Sequence, residues 1–180
     1  MLAYKGFEKG LICRGYQFHM GLNVTEKANC AANGFHCAED PLDCLSYYSD
    51  MKRSEYYLVD AGGDVDEDNY DSKIACTELT IIKKLELCEF FVHALAYMVD
   101  HPDRSWNRHV QKNRGQANNG FAMVRGADPF ASGKKGDILA FAKESPDSSK
   151  VTQIAIVRVD GKRIKPSVWY DANLTERKVA

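Results

Sequence analysis

Cys30, Cys37 and Cys44 recur every seven residues, and His36 stands beside the second of them. Thiols and an imidazole this close along a chain could ligate zinc. Zinc sites draw their cysteines from pairs two to four residues apart, because a tight turn then aims both sulfurs at one ion. Six intervening residues do not make that turn, so the spacing predicts buried thiols and no metal. The stretch HCAEDPLDC also falls short of the zinc-deaminase signature, H-x-E followed by P-C-x-x-C. Glu39 is three residues from His36, and Leu42 rather than a cysteine follows Pro41. Cysteine–histidine nucleophilic catalysis needs both groups on one face. His36 and Cys37 are neighbours, which a strand points to opposite faces. His19, His93 or His109 would have to serve instead, and no spacing selects among them. No P-loop, G-x-G-x-x-G, G-x-S-x-G or H-E-x-x-H occurs, which argues against the common ATPase, dinucleotide-fold, hydrolase and zincin classes. The residues on their own call for no cofactor.

A second constellation is cationic. Arg104, Arg108, Lys112, Arg114, Arg125, Lys134 and Lys135 are opposed between 104 and 135 only by Asp128, with Trp106, Phe121 and Phe130 interleaved. Arginines among aromatic rings suit phosphate contact and base stacking. They suit an acidic protein surface equally, since interface hot spots favour Trp, Tyr and Arg. Arg104, Trp106, Arg108, Lys112, Arg114, Arg125, Lys134 and Lys135 are therefore the candidate partner-binding residues.

The elements that must position these groups follow from periodicity and turn residues. AYKGF (3–7) and LICRGYQF (11–18) read as strands, as does GFHC (34–37). TEKANCAAN (25–33) reads as one or two helical turns. DPLDCLSYY (40–48) reads as helical, with Asp40 as cap and Pro41 at the first position. EYYLVD (55–60) and SKIACTELTII (72–82) are strand candidates, and GGDVDEDNYD (62–71) between them is an acidic loop. Residues 85–100 give the clearest helix. Leu85, Cys88, Phe91 or Val92, Leu95 and Val99 form its apolar stripe, and His101-Pro102 ends it. Residues 102–120 read as a polar loop or a short helix near 104–112. FAMVRG (121–126), DILAFAK (137–143) and SVWYDA (167–172) read as strands. KVTQIAIVRVDGKRIKP (150–166) reads as a hairpin turning at Asp160-Gly161. The predicted class is α+β, with mostly antiparallel strands at both ends and one long central helix. One domain is expected over 1–180: an N-terminal region 1–84, the helix 85–101, a basic region 102–135 and a C-terminal hairpin region 136–180.

Composition agrees with a globular chain. Its 180 residues are 44% hydrophobic and 27% charged, with a net charge of −1. The charge is uneven. Residues 1–50 carry 4 basic and 6 acidic groups, 51–103 carry 5 and 12, and 104–180 carry 15 and 7. No run of 18 apolar residues and no leader-like start occurs, so no membrane span and no secretion signal are expected. The six cysteines are then expected as reduced thiols in a cytosol.

AYKGF (3–7), ICRGYQF (12–18), NGFHCAEDPLDCLSYY (33–48) and DSKIACTELTI (71–81) together resemble an uncharacterised domain family of phage and prophage proteins. KKGDILAF and VDGKRIKPSVWY (159–170) resemble that family's C-terminal hairpin. The resemblance implies a phage or prophage origin and work in a bacterial cytoplasm; it identifies no catalytic residue. A more distant likeness is to ADP-ribosyltransferases. Tyr4-Lys5-Gly6 or Cys13-Arg14-Gly15 would be their first element, and Gly34-Phe35-His36 with Tyr47 or Tyr48 the second. That likeness implies a site of Arg14, His36 and Tyr47 for a nicotinamide dinucleotide, with Glu78 or Glu144 serving the ribose. The combined expectation is a phage-derived cytoplasmic protein that binds a host protein or nucleoprotein complex, such as a defence complex. An ADP-ribosyltransferase-like enzyme and an accessory virion protein are the alternatives. Nucleic acid is admitted as a partner and a membrane is not.

Overall fold

A computed structural model describes residues 1–30, 32–67 and 72–178. The chain divides into two compact units, Met1–Phe90 and Phe91–Ala180.

The first unit contains β1 (Leu2–Glu8), β2 (Ile12–Cys13), β3 (Tyr16–Gln17), β4 (Gly21–Val24), β5 (Phe35–Ala38), a 3-10 turn (Pro41–Ser46), β6 (Ser54–Glu67) and β7 (Lys73–Leu85). Strand pleating sends alternate side chains to opposite faces, so Ala3, Lys5 and Phe7 of β1 point the same way, and all three are buried. β1 pairs antiparallel with β6 from Leu2↔Asp60 to Glu8↔Ser54. β6 pairs antiparallel with β7. β5 then joins β7 through Phe35↔Cys76 to Ala38↔Lys73 and returns to β1 at Tyr4↔Ala38. These four strands close a ring of pairings. Phe7, Phe18, Phe35, Tyr57, Val59, Ile74, Leu79 and Ile81 fill its core. The 3-10 turn starts as expected: Asp40 accepts a bond from the Leu42 N–H at 2.9 Å, and Pro41 follows the cap.

The helix α1 (Leu87–Asp100) runs across the division in the chain. The second unit adds β8 (Val110–Gln116), β9 (Phe121–Ser132), β10 (Ile138–Glu144), β11 (Val151–Arg158), β12 (Trp169–Asp171) and β13 (Glu176–Arg177). Their order is β11-β10-β9-β12-β13, with β8 also on β9. β8 and β10 are both parallel to β9. Ala122, Val124, Leu139, Phe141, Ile164 and Tyr170 are buried together.

The α+β expectation is corrected: the protein is mostly β, with 51% strand, 12% helix and two sheets. Among the described residues no long central helix occurs, and the one α-helix is the 14-residue α1. Pairing overrides local propensity in three places. Gly62–Glu67, read as acidic loop, extends β6 because β7 offers it a partner; residues 68–71 of that loop lie outside the described residues. Val110–Gln116, read as loop or helix, becomes β8 against β9. Residues 25–30 form no helix; Asn29 instead bridges Asn33, and Ala31 lies outside the described residues. Asp160-Gly161 does not turn a hairpin either. The Asp160 carboxylate accepts from the N–H groups of Lys162 and Ile164 at 2.7 and 3.0 Å, and β11 pairs back to β10. The helical stripe is also shifted. Phe90, Phe91, Ala94, Leu95 and Met98 are buried, whereas Val92 and Val99 are more than 40% exposed. No helix among the described residues is long and apolar enough to cross a membrane.

Leu95 is fully buried, so Leu95→Ala should cost about 2–5 kcal/mol in denaturant unfolding. A loss below about 1 kcal/mol would contradict the packing of α1 described above.

Candidate functional site

A cavity of about 520 Å³ opens in the first unit. β1 supplies Tyr4, Lys5 and Gly6, and the β2–β3 hairpin supplies Cys13, Arg14 and Tyr16, with Phe18 following. β5 and the glycine before it give Gly34 to Ala38, and the 3-10 turn with its exit gives Asp43, Cys44, Tyr47 and Tyr48. Lys73 of β7 completes the charged groups.

Local backbone geometry sets each contribution. Cys13 pairs with Tyr16, so Arg14-Gly15 is a two-residue hairpin loop. Both take positive φ, 50° and 79°, as a tight hairpin of this kind demands. An arginine pays for that conformation where glycine would not, and the turn holds it at the rim. Gly6 is needed for close approach: a Cβ there would stand 2.5 Å from the Tyr48 ring. With glycine in place, Tyr48 lies against β1 and its hydroxyl donates to the Cys13 sulfur at 3.0 Å.

The electrostatics are cationic with an apolar wall. Lys5, Arg14 and Lys73 face the space, and Asp43 is the carboxylate among the described lining residues. Asp43 Oδ2 accepts from the Ser72 N–H at 3.1 Å and the Ser72 hydroxyl at 2.6 Å. Burial, then the charges of Lys5, Lys73 and Arg14, hold His36 below the ordinary imidazole range, which keeps it neutral near pH 7. Burial pushes the Cys44 thiol up to about 12. Cys37 is also pushed up, by its hydrogen bond to Cys76 and by burial. Both thiols therefore stay protonated near neutrality and behave as small buried hydrophobes. Tyr16, Phe18 and Phe35 cluster along one wall, Phe18 edge-to-face with both others and the Tyr16–Phe35 pair tilted, with ring centroids 4.7 to 5.6 Å apart.

Arg14, His36 and Tyr47, far apart in sequence, thus line one cavity. Glu78 and Glu144, the two candidates for a ribose-binding carboxylate, do not line it; Glu144 instead pairs with Arg125 at 2.7 Å. Cys37 and Cys44 line the cavity together, and Cys30 is not in its lining. The Cys30 thiol donates to backbone carbonyls of Asp66 and Lys73, none of the six cysteines is in a disulfide, and no metal-holding group of side chains occurs among the described residues. The cationic stretch divides as well. Arg104, Arg108, Lys112, Arg114, Lys134 and Lys135 are exposed. Trp106 is half-buried beneath Arg125, a residue 2% exposed whose guanidinium donates to Glu144 and to the carbonyls of Pro102 and Ser149. Arg125 is an internal tie and not a surface residue. Arg114 stacks on Trp169, 4.5 Å from the ring centre. Tyr16 on β3, Phe18 just after it and Lys73 on β7 were not singled out in the sequence, and Lys5 entered only as part of an alternative first element.

The depressed pKa of His36 gives a pH prediction. The folded value lies below the unfolded value of 6.5, so the folded state disfavours the proton. Stability from this site is complete above pH 6.5 and is lost as pH falls through the folded value. Melting temperature should fall between about pH 7 and 5, and His36→Gln should shrink that fall. An equal fall in the variant would remove His36 as its source.

Residues 1–93 match a family described as Domain of unknown function (DUF7666). No curated protein and no solved structure matches the chain. The matched residues end close to the boundary of the first unit and include the whole cavity lining, whereas KKGDILAF and VDGKRIKPSVWY lie beyond them. With more than half its length covered, the chain belongs to this uncharacterised DUF7666 family.

Proposed function

We propose that the protein binds a nucleotide-type ligand, a phosphoryl group joined to an aromatic base, in the cavity of its first unit. One observation carries this reading: Arg14, His36 and Tyr47 line the same cavity. Three cationic side chains suit a phosphoryl group, and the aromatic wall suits a base. A mostly apolar concavity with a few convergent polar groups is the usual form of a small-ligand site. The ADP-ribosyltransferase likeness of Tyr4-Lys5-Gly6, Cys13-Arg14-Gly15 and Gly34-Phe35-His36 supports a ligand of the NAD and ADP-ribose class. Binding, rather than transfer, is the step proposed, since neither Glu78 nor Glu144 lines the cavity. A phage or prophage origin and a bacterial cytoplasmic setting belong to the same proposal, supported by the sequence resemblance.

A second reading has one observation in its favour. Six of the eight candidate partner-binding residues are exposed in the second unit: Arg104, Arg108, Lys112, Arg114, Lys134 and Lys135. They suit an acidic host protein or nucleoprotein. The joint Arg108→Glu and Lys112→Glu variant should then lose a partner captured from nuclease-treated host lysate; unchanged capture would reject the reading.

Calorimetry tests the first reading. ADP-ribose should bind the full chain, and Arg14→Ala or Tyr47→Ala should weaken it about tenfold, the scale of one charge-assisted contact or one aromatic contact. The Arg108→Glu, Lys112→Glu variant should bind ADP-ribose as the parent does. Unaltered affinity in both cavity variants, or no binding of ADP-ribose or NAD, would overturn the assignment.

A further inference from the structure

Lys5 occupies a core position of β1. It stands between Ala3 and Phe7 on the buried face and is 5% exposed. Its ammonium donates to the His36 carbonyl at 2.5 Å and lies 5.3 Å from the ring centres of both Phe7 and Phe18. Among the described residues no carboxylate pairs with it. Of the thiols its charge acts on, Cys37 and Cys44 stay protonated near neutrality and Cys76 is lowered, first by its hydrogen bond from Cys37; His36 is neutral too. Burying a charge without a counter-charge is costly, and an apolar residue would satisfy the pattern of the strand better. A lysine has three N–H donors, and one is committed to His36. Lys5 is also among the residues that line the cavity.

We infer that Lys5 is the anion anchor of this cavity, taking a phosphoryl group at the floor while the ring of the ligand rests at the mouth. The exposures set that direction: Tyr16 and Tyr47 are about half exposed, at 49% and 58%, and Lys5 is enclosed. Arg14, also exposed, closes over the ligand from the rim. A diphosphate diester, with two charges in all, suits the field better than one carboxylate, because Lys5, Arg14 and Lys73 outnumber Asp43 among the described lining residues, even with the Asp40 charge reaching Tyr4 and Cys44. The inference rests on the cavity being the ligand site and adds which residue carries the charge and which way the ligand points.

Calorimetry with pyrophosphate, ADP-ribose and adenosine on the full chain and on Lys5→Met tests it. The parent should prefer the two phosphoryl probes to adenosine by about tenfold or more. Lys5→Met should erase that preference, leave adenosine binding unchanged and not lower the melting temperature of the unliganded protein. A preference retained in Lys5→Met, or a lowered unliganded melting temperature with binding intact, would overturn the anchor and assign Lys5 to the fold; the cavity reading would survive. Lys5-dependent binding of pyrophosphate without binding of ADP-ribose or adenosine would keep the anchor and reject the nucleotide ligand. No binding of any probe by the parent would reject both. Should Lys5→Met fail to fold, amine acylation of the parent decides: pyrophosphate should protect Lys5, and unprotected acylation contradicts the anchor.

Discussion

Strand β5 is only four residues long, yet it is hydrogen-bonded to β7 on one side and to β1 on the other. β6 joins the same two strands elsewhere along their length. The ring this makes cannot open at one strand without breaking pairings on a second. It forces the Lys5 side of β1 inward, toward Phe7 and Phe18, and it fixes His36 by its backbone, whose carbonyl receives the Lys5 ammonium. Side chains held by paired strands keep their positions better than side chains on loops, which is what a binding site needs. The remaining wall comes from the 3-10 turn, and it reaches the ring only because residue 6 has no side chain to strike Tyr48.

Charge in this unit follows from that closure. An ammonium between two aromatic rings is tolerable, since ring faces attract cations, but it is a poor substitute for a carboxylate. Burial first, and then the same cation with Lys73 and Arg14, hold His36 neutral. The site is therefore cationic without an ionised imidazole, a state suited to receiving an anion from outside. By contrast Arg125 in the second unit is buried with Glu144 as its partner and with two carbonyl acceptors. One buried cation is satisfied within the protein and the other is not, and that difference separates a structural tie from a binding group.

Much of the positioning was legible in the sequence. Asp40-Pro41 announced the turn that carries Tyr47, and the apolar alternation of 72–82 announced β7. Arg14, His36 and Tyr47 could be grouped through a family likeness before any geometry was known. The role of Lys5 could not be read in the same way, because a lysine in a strand is usually exposed. Its burial depends on pairing with β6, whose partner residues lie some fifty positions later. β8 was hidden for the same reason: Lys112 and Arg114 are edge-strand residues only because β9 folds beside them. The stripe of α1 failed at Val92 and Val99 through helical phase, since spacings of three and four fit two adjacent faces equally well.

Where an anion sits decides whether Lys5 is a binding group. A crystal structure of the full chain grown with ADP-ribose measures this most directly. The prediction is a phosphoryl oxygen within hydrogen-bonding distance of the Lys5 ammonium, with the base against Tyr16 or Tyr47. A ligand seated instead beside Lys112 and Arg114 on β8, with the cavity of the first unit unchanged, would contradict it.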